Sequence, residues 1–573
     1  MSDQTEKESR KLHELFSSEW KETLKEHPEL ATYVGVPGHN DRWTDHSFEA
    51  IDRRRKRAHR TLTKLQEIDR GRLSRGDRLN YDLYLYRTRE EIEAQRFPDE
   101  LMPLSQLQGV QQDASRIVQM TPSFTLEDFE SAVERLRSLP KLLQQTTALM
   151  ERGLQKGIVP PDITIKDVPR QISALIASAP ADSPFAEPFK RFPETIPAAK
   201  REKVKRAAAN AIATKVHPAF DALKQFIETR YLPRCRTSTG LCELPDGQAW
   251  YALKARQYTT TKLTPCELHD LGLSEVERIR GEFNALIKKL SFRGGFPEFA
   301  AFLRTDPSFY HTDPDELLRE YRDICKRIDP GLVKLFGRLP RLPFGVTPVP
   351  GHSAKTAPTA YYMPGSLEGG RPGWYFANTY NLKARPRWEM EALTLHEAVP
   401  GHHLQISLAR EMSDVPEFRK HDMHIAFIEG WALYAESLGA ELGCYQDPYS
   451  RAGQLSYEIW RAARLVVDTG IHAMGWSRKK AIDYLTTHSC KIKHDAIVEI
   501  DRYIALPGQA LAYKVGELCI QKLRQKAATE LGPLFDLRAF HDALLANAAL
   551  PLEILEDQVR SWLEDQSASA EPE

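Results

Sequence analysis

Across residues 123–157 the chain reads SFTLEDFESAVERLRSLPKLLQQTTALMERGLQKG, with Leu, Phe and Val recurring every three or four positions. That spacing lays an apolar stripe along one face of an α-helix, so the segment must bury it against other helices. Thr125 opens the run as an N-cap, and Asp128 stands three positions on at capping-box spacing, though shorter than the usual Glu or Gln. TPCELHDLGLSEVERIRGEFNALIKKL and DPDELLREYRDICKRI repeat the pattern with caps of their own. The expected fold is mainly α, a large multi-helix fold.

Two regions depart from this pattern. Residues 177–197, ASAPADSPFAEPFKRFPETIP, are rich in Pro and Ala and predict an ordered loop crossing the surface between helical hairpins. Residues 338–382 mix Gly and Pro turns with short aromatic and β-branched runs, which predicts a small sheet. Within it, GWYFANTY is expected as an edge strand beside the helix that follows. The tail DQSASAEPE should lack order. The predicted organisation is an N-terminal helical lobe over 1–245, a second lobe over 246–565 carrying the motifs below, and a disordered tail over 566–573.

Composition excludes several function classes. Lys and Arg total 79 and so do Asp and Glu, so no overall field recruits nucleic acid or an anionic membrane. The basic run RRRKRAHRTLTK, residues 53–64, has no interleaved aromatics and reads as a solvated helix face. The start is charged and amphipathic where a secretory signal needs an apolar core, and no window approaches the roughly 18 apolar residues of a membrane span. The seven cysteines are scattered without a CxxC and read as thiols rather than a disulfide framework, which favours the cytoplasm.

The chemistry concentrates in LTLHEAVPGHHLQISLAR, residues 393–410. In the zinc-hydrolase pattern HExxH the second histidine lies four positions after the first, one turn along the same face. Here that position is Pro400. On a straight helix His402 lies roughly 240° round from His396, and His403 about 10 Å along the axis, so neither would chelate with it. Pro400 has no N–H for the carbonyl of His396, and Gly401 permits unusual dihedrals. The helix should therefore break at Pro400-Gly401 and restart at the histidines, bringing His402 level with His396.

HEAVPGHHLQ, FIEGWALYAE and RYIALPGQALAYKVG occur in that order, and together they resemble the bacterial domain-of-unknown-function family 885, placed beside the gluzincin metallopeptidases. The resemblance covers nearly the whole chain. It implies one Zn2+ per chain. In gluzincins a glycine precedes the second histidine, which points to His402 rather than His403, and a glutamate 20 to 30 residues on is the third ligand, here Glu429. Glu429 sits among Phe427, Ile428, Trp431, Leu433 and Tyr434, where a carboxylate needs a partner. Glu436, two turns later, supports the site or is a plain helix carboxylate. His421 and His424 are alternative ligands if they share a helix face.

The roles follow from zinc chemistry. Three protein ligands leave a fourth position for water, which the metal acidifies, and Glu397 would act as general base in amide hydrolysis. The resemblance places a tyrosine hydroxyl opposite the reacting carbonyl, and Tyr513 matches it best. Arg502, a planar fork, would hold a substrate carboxylate. Asn378 on the expected edge strand would lie near the scissile bond. Tyr503 and Gln509 are further substrate-binding candidates, and His403 would donate to substrate or orient a carboxylate. The expected enzyme is a cytoplasmic zinc peptidase for short peptides, with its site in a cleft between the lobes. The rivals are a zinc hydrolase for a non-peptide amide and a metal-free helical scaffold.

Overall fold

The computed structural model describes residues 3–177, 179–355, 357–365, 370–413 and 415–570. The fold is mainly α, with one three-stranded sheet among the described residues. The chain divides into two compact units, Met1–Thr239 with Glu243–Asp246, and Gly240–Cys242 with Gly247–Glu573.

The first unit is organised by α1 (Leu126–Lys156), whose capping box closes in both directions between Thr125 and Asp128. Its stripe of Phe129, Val133, Leu136, Leu139, Leu143 and Met150 enters a continuous apolar core. Arg135 is the one charged side chain that α1 buries. Its guanidinium bonds to the Arg42 and His39 carbonyls and to Thr32, all neutral acceptors. In the Pro-rich stretch, Pro184–Lys190 forms a 3-10 helix that buries Phe185 and Phe189 in the same core, so these residues are packing elements and not only a surface connection. The basic run lies on the helix Phe48–Gln66, where Arg53 and Arg54 pair with Glu26, Arg55 with Glu100, and Arg57 with Glu19.

The second unit contains α2 (Pro265–Lys289), the sheet β1 (Phe344–Pro348), β2 (Ala360–Met363) and β3 (Gly373–Ala377), and then α3 (Met390–Glu397) and α4 (His402–Arg410). They are followed by α5 (Ile425–Ser437), α6 (Pro448–His472), α7 (Lys493–Ala505) and α8 (Ala512–Leu531). Residues 452–472 of α6 are all buried. Packing against α2 is close enough that a Cβ on Gly272 would press on Leu465 and Val466.

The sheet order is β1-β3-β2, with β1 parallel and β2 antiparallel to β3. GWYFA is thus the central strand, not the expected edge. Both of its backbone sides are occupied, and Tyr375 and Ala377 are fully buried. Strand order does not follow chain order, because β1 reaches β3 by a crossover that the local sequence does not reveal. The last helix, Leu552–Ala570, runs on into the stretch expected to lack order. Ala568 and Ala570 favour helix, the intervening Ser residues only weaken it, and no Gly or Pro comes within this helix before Pro572; residues 571–573 lie outside the described residues. No described helix is long and apolar enough to cross a membrane.

Candidate metal centre

The break predicted at Pro400-Gly401 is present. Helix α3 ends at Glu397, the Val399–Pro400 peptide is cis, and α4 begins at His402. A Cβ on Gly401 would collide with the carbonyl oxygens of Leu395 and His396, so this path admits only glycine. The carbonyl of Pro400 accepts a hydrogen bond from Trp431 Nε1 at 2.8 Å, which ties the break to α5. Across it the rings of His396 and His402 meet edge to face, 4.7 Å between centroids.

Helix α5 brings in Glu429. Its position depends on a close crossing with α8, where a Cβ on Gly430 would strike the backbone of Gly516, and one on Gly516 would strike the Ala426 carbonyl. Glu429 Oε2 then lies 3.6 Å from His396 Nε2 and 3.5 Å from His402 Nε2. The three donor atoms all fall within 4.8 Å of one another, and no other such group of three occurs among the described residues.

Glu436, seven positions after Glu429, lies on the same side of α5, because seven residues make about two turns. It is fully buried, and its Oε1 is 2.8 Å from His396 Nδ1. Arg461 of α6 approaches that oxygen at 3.4 Å. Burial works against a charged His396, but Glu429 and Glu436 outweigh it and raise the imidazole to about 9. Burial likewise opposes an ionised Glu429, yet His396 and His402 hold its carboxyl well below the usual range. Two imidazoles and one ionised carboxylate with a carboxylate behind one ring fit a borderline divalent cation such as Zn2+.

Glu397 closes α3 beside His396, is 8 % exposed, and its carboxylate has no hydrogen-bond or ion-pair partner among the described residues. Tyr513 is also brought to the site. Burial raises its hydroxyl pKa and nearby Glu429 adds to this, while Arg502, Arg464 and a hydrogen bond with Gln509 oppose. The guanidinium of Arg464 lies over the Tyr513 ring, 4.4 Å from its centroid.

Several expected substrate groups are committed elsewhere. Asn378 is 1 % exposed, with its amide nitrogen donating to the Ala354, Ala357 and Pro358 carbonyls and its oxygen accepting from Tyr380 N. It fixes its own loop, because a buried amide must satisfy each of its polar atoms. His403 is also buried: its Nδ1 is 2.8 Å from the Tyr362 hydroxyl and its ring packs 4.4 Å from that of Phe344. Burial lowers it to about 4, so it is a neutral ring fastening α4 to the sheet. Tyr503 donates to Glu499 at 2.6 Å and accepts from Arg464 Nε at 2.8 Å, so it is a positioning group. Arg502 and Gln509 are different: they bond to each other at 2.9 Å, but 21% of the Arg502 side chain stays open, so neither is closed off from a ligand. His421 ends one helix and His424 caps the next across a bend, so they share no helix face.

Sequence reasoning had noted Glu436 without fixing its role, and had missed Arg461, Arg464, Gly430 and Gly516. The seven-residue spacing of Glu429 and Glu436 carried a signal; the others depend on which helices touch.

A family model described as "Bacterial protein of unknown function (DUF885)" matches residues 28–559. The chain belongs to that family. A solved "putative lipoprotein" from Colwellia psychrerythraea is similar at TM-score 0.91 and 27% identity, over 97% of this chain and 99% of its own. A second solved protein so described, of unknown function and from Shewanella oneidensis, matches at TM-score 0.72 and 16% identity, over 95% of this chain and 99% of its own, and shares the fold. No curated protein matches the chain.

Proposed function

We propose that this family member is a metal-dependent hydrolase that cleaves amide bonds in short peptides, with Zn2+ held by His396, His402 and Glu429. The observation that carries the reading is the convergence of those three donors across the broken helix, with the carboxylate of Glu397, unpartnered among the described residues, beside them. A bound Zn2+ supplies an acidified water and polarises a carbonyl. Glu397 takes the proton of the attacking water and delivers it to the leaving amine. Glu436 fixes His396 in the form with a proton on Nδ1, leaving Nε2 as donor. Tyr513 offers a hydroxyl to the developing oxyanion.

The test is metal stoichiometry on wild type, His402→Ala and His403→Ala, with hydrolysis of a mixed peptide library and of non-peptide amides. The reading expects one zinc per chain, lost in His402→Ala and kept in His403→Ala, together with peptide cleavage. Glu397→Gln should keep the metal and lose about 10²- to 10⁴-fold in rate. Zinc without peptide cleavage but with amide cleavage transfers the site to the other substrate class; no zinc after reconstitution removes the reading.

We also propose a cytoplasmic location, which seven scattered cysteines outside any disulfide support. The two similar solved proteins are called lipoproteins, which favours a lipid-anchored protein instead, and fractionation of the native protein decides between the two locations.

A further inference from the structure

Behind Tyr513 two guanidinium groups share one carboxylate. Arg502 grips Glu499 through Nε at 3.0 Å and Nη2 at 2.9 Å, and Arg464 Nη2 reaches the same carboxylate at 2.9 Å. Burial opposes ionisation of Glu499, but Arg502 and Arg464 hold its carboxyl far below the usual range, so all three groups are charged and one positive charge is left over. Among the described residues no second carboxylate pairs with Arg464 or Arg502, and apart from Glu499 Arg464 has the Tyr503 and Tyr513 rings beside it. Asp501 is paired with Arg478. Asp468, the next carboxylate towards Arg502, bonds instead to Tyr251 and to Gly508 N, and burial lifts it to about 7.

Two further observations point to a ligand. Arg464 is more than nine-tenths buried and its Nη1 has no hydrogen-bond partner among the described residues. Arg502 keeps 21% of its side chain open, and its Nη1 is occupied by the neutral amide oxygen of Gln509. A guanidinium N–H bonds more strongly to a carboxylate than to an amide, so an entering anion displaces Gln509 with gain. Gln509 also bonds to Tyr513, which places the surplus charge one side chain away from the candidate metal centre.

We infer that Arg502, backed by Arg464, is a carboxylate subsite, and that the substrate is a peptide whose free C-terminal carboxylate lies one or two residues beyond the bond cleaved. The assignment of a bond cleaved rests on the proposed hydrolase; the anion subsite does not. Gln509 is the neutral placeholder that the substrate replaces.

The experiment measures binding and cleavage separately on the full-length chain. Calorimetry with N-acetyl-trialanine, as free acid and as amide, is run on wild type, Gln509→Glu and Gln509→Met, and zinc-loaded wild type is assayed for cleavage of the same pair. The free acid should bind about tenfold more tightly than the amide. That preference should vanish in Gln509→Glu, which puts an internal carboxylate on Arg502, and persist in Gln509→Met, which removes the placeholder. Equal binding of acid and amide to wild type, or binding of neither, overturns the subsite. A preference that survives Gln509→Glu in a chain of native circular dichroism overturns it as well. Cleavage of both peptides at equal rate removes the subsite and leaves the hydrolase standing, whereas acid-selective binding without cleavage of either leaves the subsite and removes the hydrolase.

Discussion

Helices α1 and α6 are both long, and their interiors are opposites. Helix α1 buries one stripe, of which Arg135 alone is charged, and that side chain is satisfied by neutral oxygens of its own unit. Helix α6 is buried all round and carries Glu458, Arg461, Arg464 and Asp468 into the interior. Each engages another part of the second unit: Glu458 meets Lys514, Arg461 meets Glu436 behind His396, Arg464 meets Glu499, and Asp468 holds the Pro-Gly turn before α8. Ionised groups in an interior are costly and stabilise little compared with apolar residues of the same size. Helix α1 is what packing alone produces; α6 gives up stability to hold polar groups in the interior, one of which, Arg461, stands behind Glu436 and His396.

The largest effect is expected at Lys514, which α6 helps to bury. Its ammonium is fully buried among Glu517 at 2.6 Å, Glu458 at 2.9 Å and Glu275 at 3.0 Å. Lys514→Met leaves Glu517 without its cation, although Arg278 still pairs with Glu275 and Glu458, and should destabilise the second unit by about 3 kcal/mol, read as a lower denaturant midpoint. Next comes Leu136→Ala in α1, which removes core volume from the first unit and should cost about 2–4 kcal/mol. Hydrogen exchange should show the loss in α1, and metal content should be unchanged; loss of metal would mean that the two helices are not separable as argued.

Stability against pH should also differ between the two helices. Burial lifts Asp468 from 3.8 to about 7 against the hydrogen bonds of Tyr251 and Gly508. The folded chain keeps a proton there that the unfolded chain releases, so this contribution is complete below about pH 4 and is lost as pH rises towards 7. Asp468→Asn should flatten stability against pH in that window by up to about 1.4 kcal/mol per unit, and identical slopes in both proteins would refute it. The smallest effect is expected at Thr125→Ala, where loss of the cap should weaken α1 by about 1 kcal/mol, seen as faster amide exchange in its first turn.

The features legible in sequence were those written within a few residues. Apolar spacing marked the helices, Thr125 with Asp128 marked a cap, and Pro400 with Gly401 marked the break that sets His402 against His396. The family resemblance supplied Glu429. Illegible were the features that depend on a distant neighbour. GWYFA reads as an edge strand until β1, from some thirty positions earlier, is seen to pair with its free side. His403 reads as a ligand or donor until Phe344 and Tyr362 are seen to enclose it. Arg502 reads as a free fork until Glu499 and Gln509 are found on it.

The sequence by itself therefore determined the helical frame and the place where one helix must fail, because backbone preference, periodicity and the missing N–H of proline act locally. Only the tertiary structure decided which charges are partnered and which are in surplus. Glu436 is forty positions from His396, and Arg464 thirty-five from Glu499. The free energy of an ionised side chain is set by what lies within a few ångströms of it, and helix packing, through contacts such as Gly430 on Gly516, chooses those neighbours.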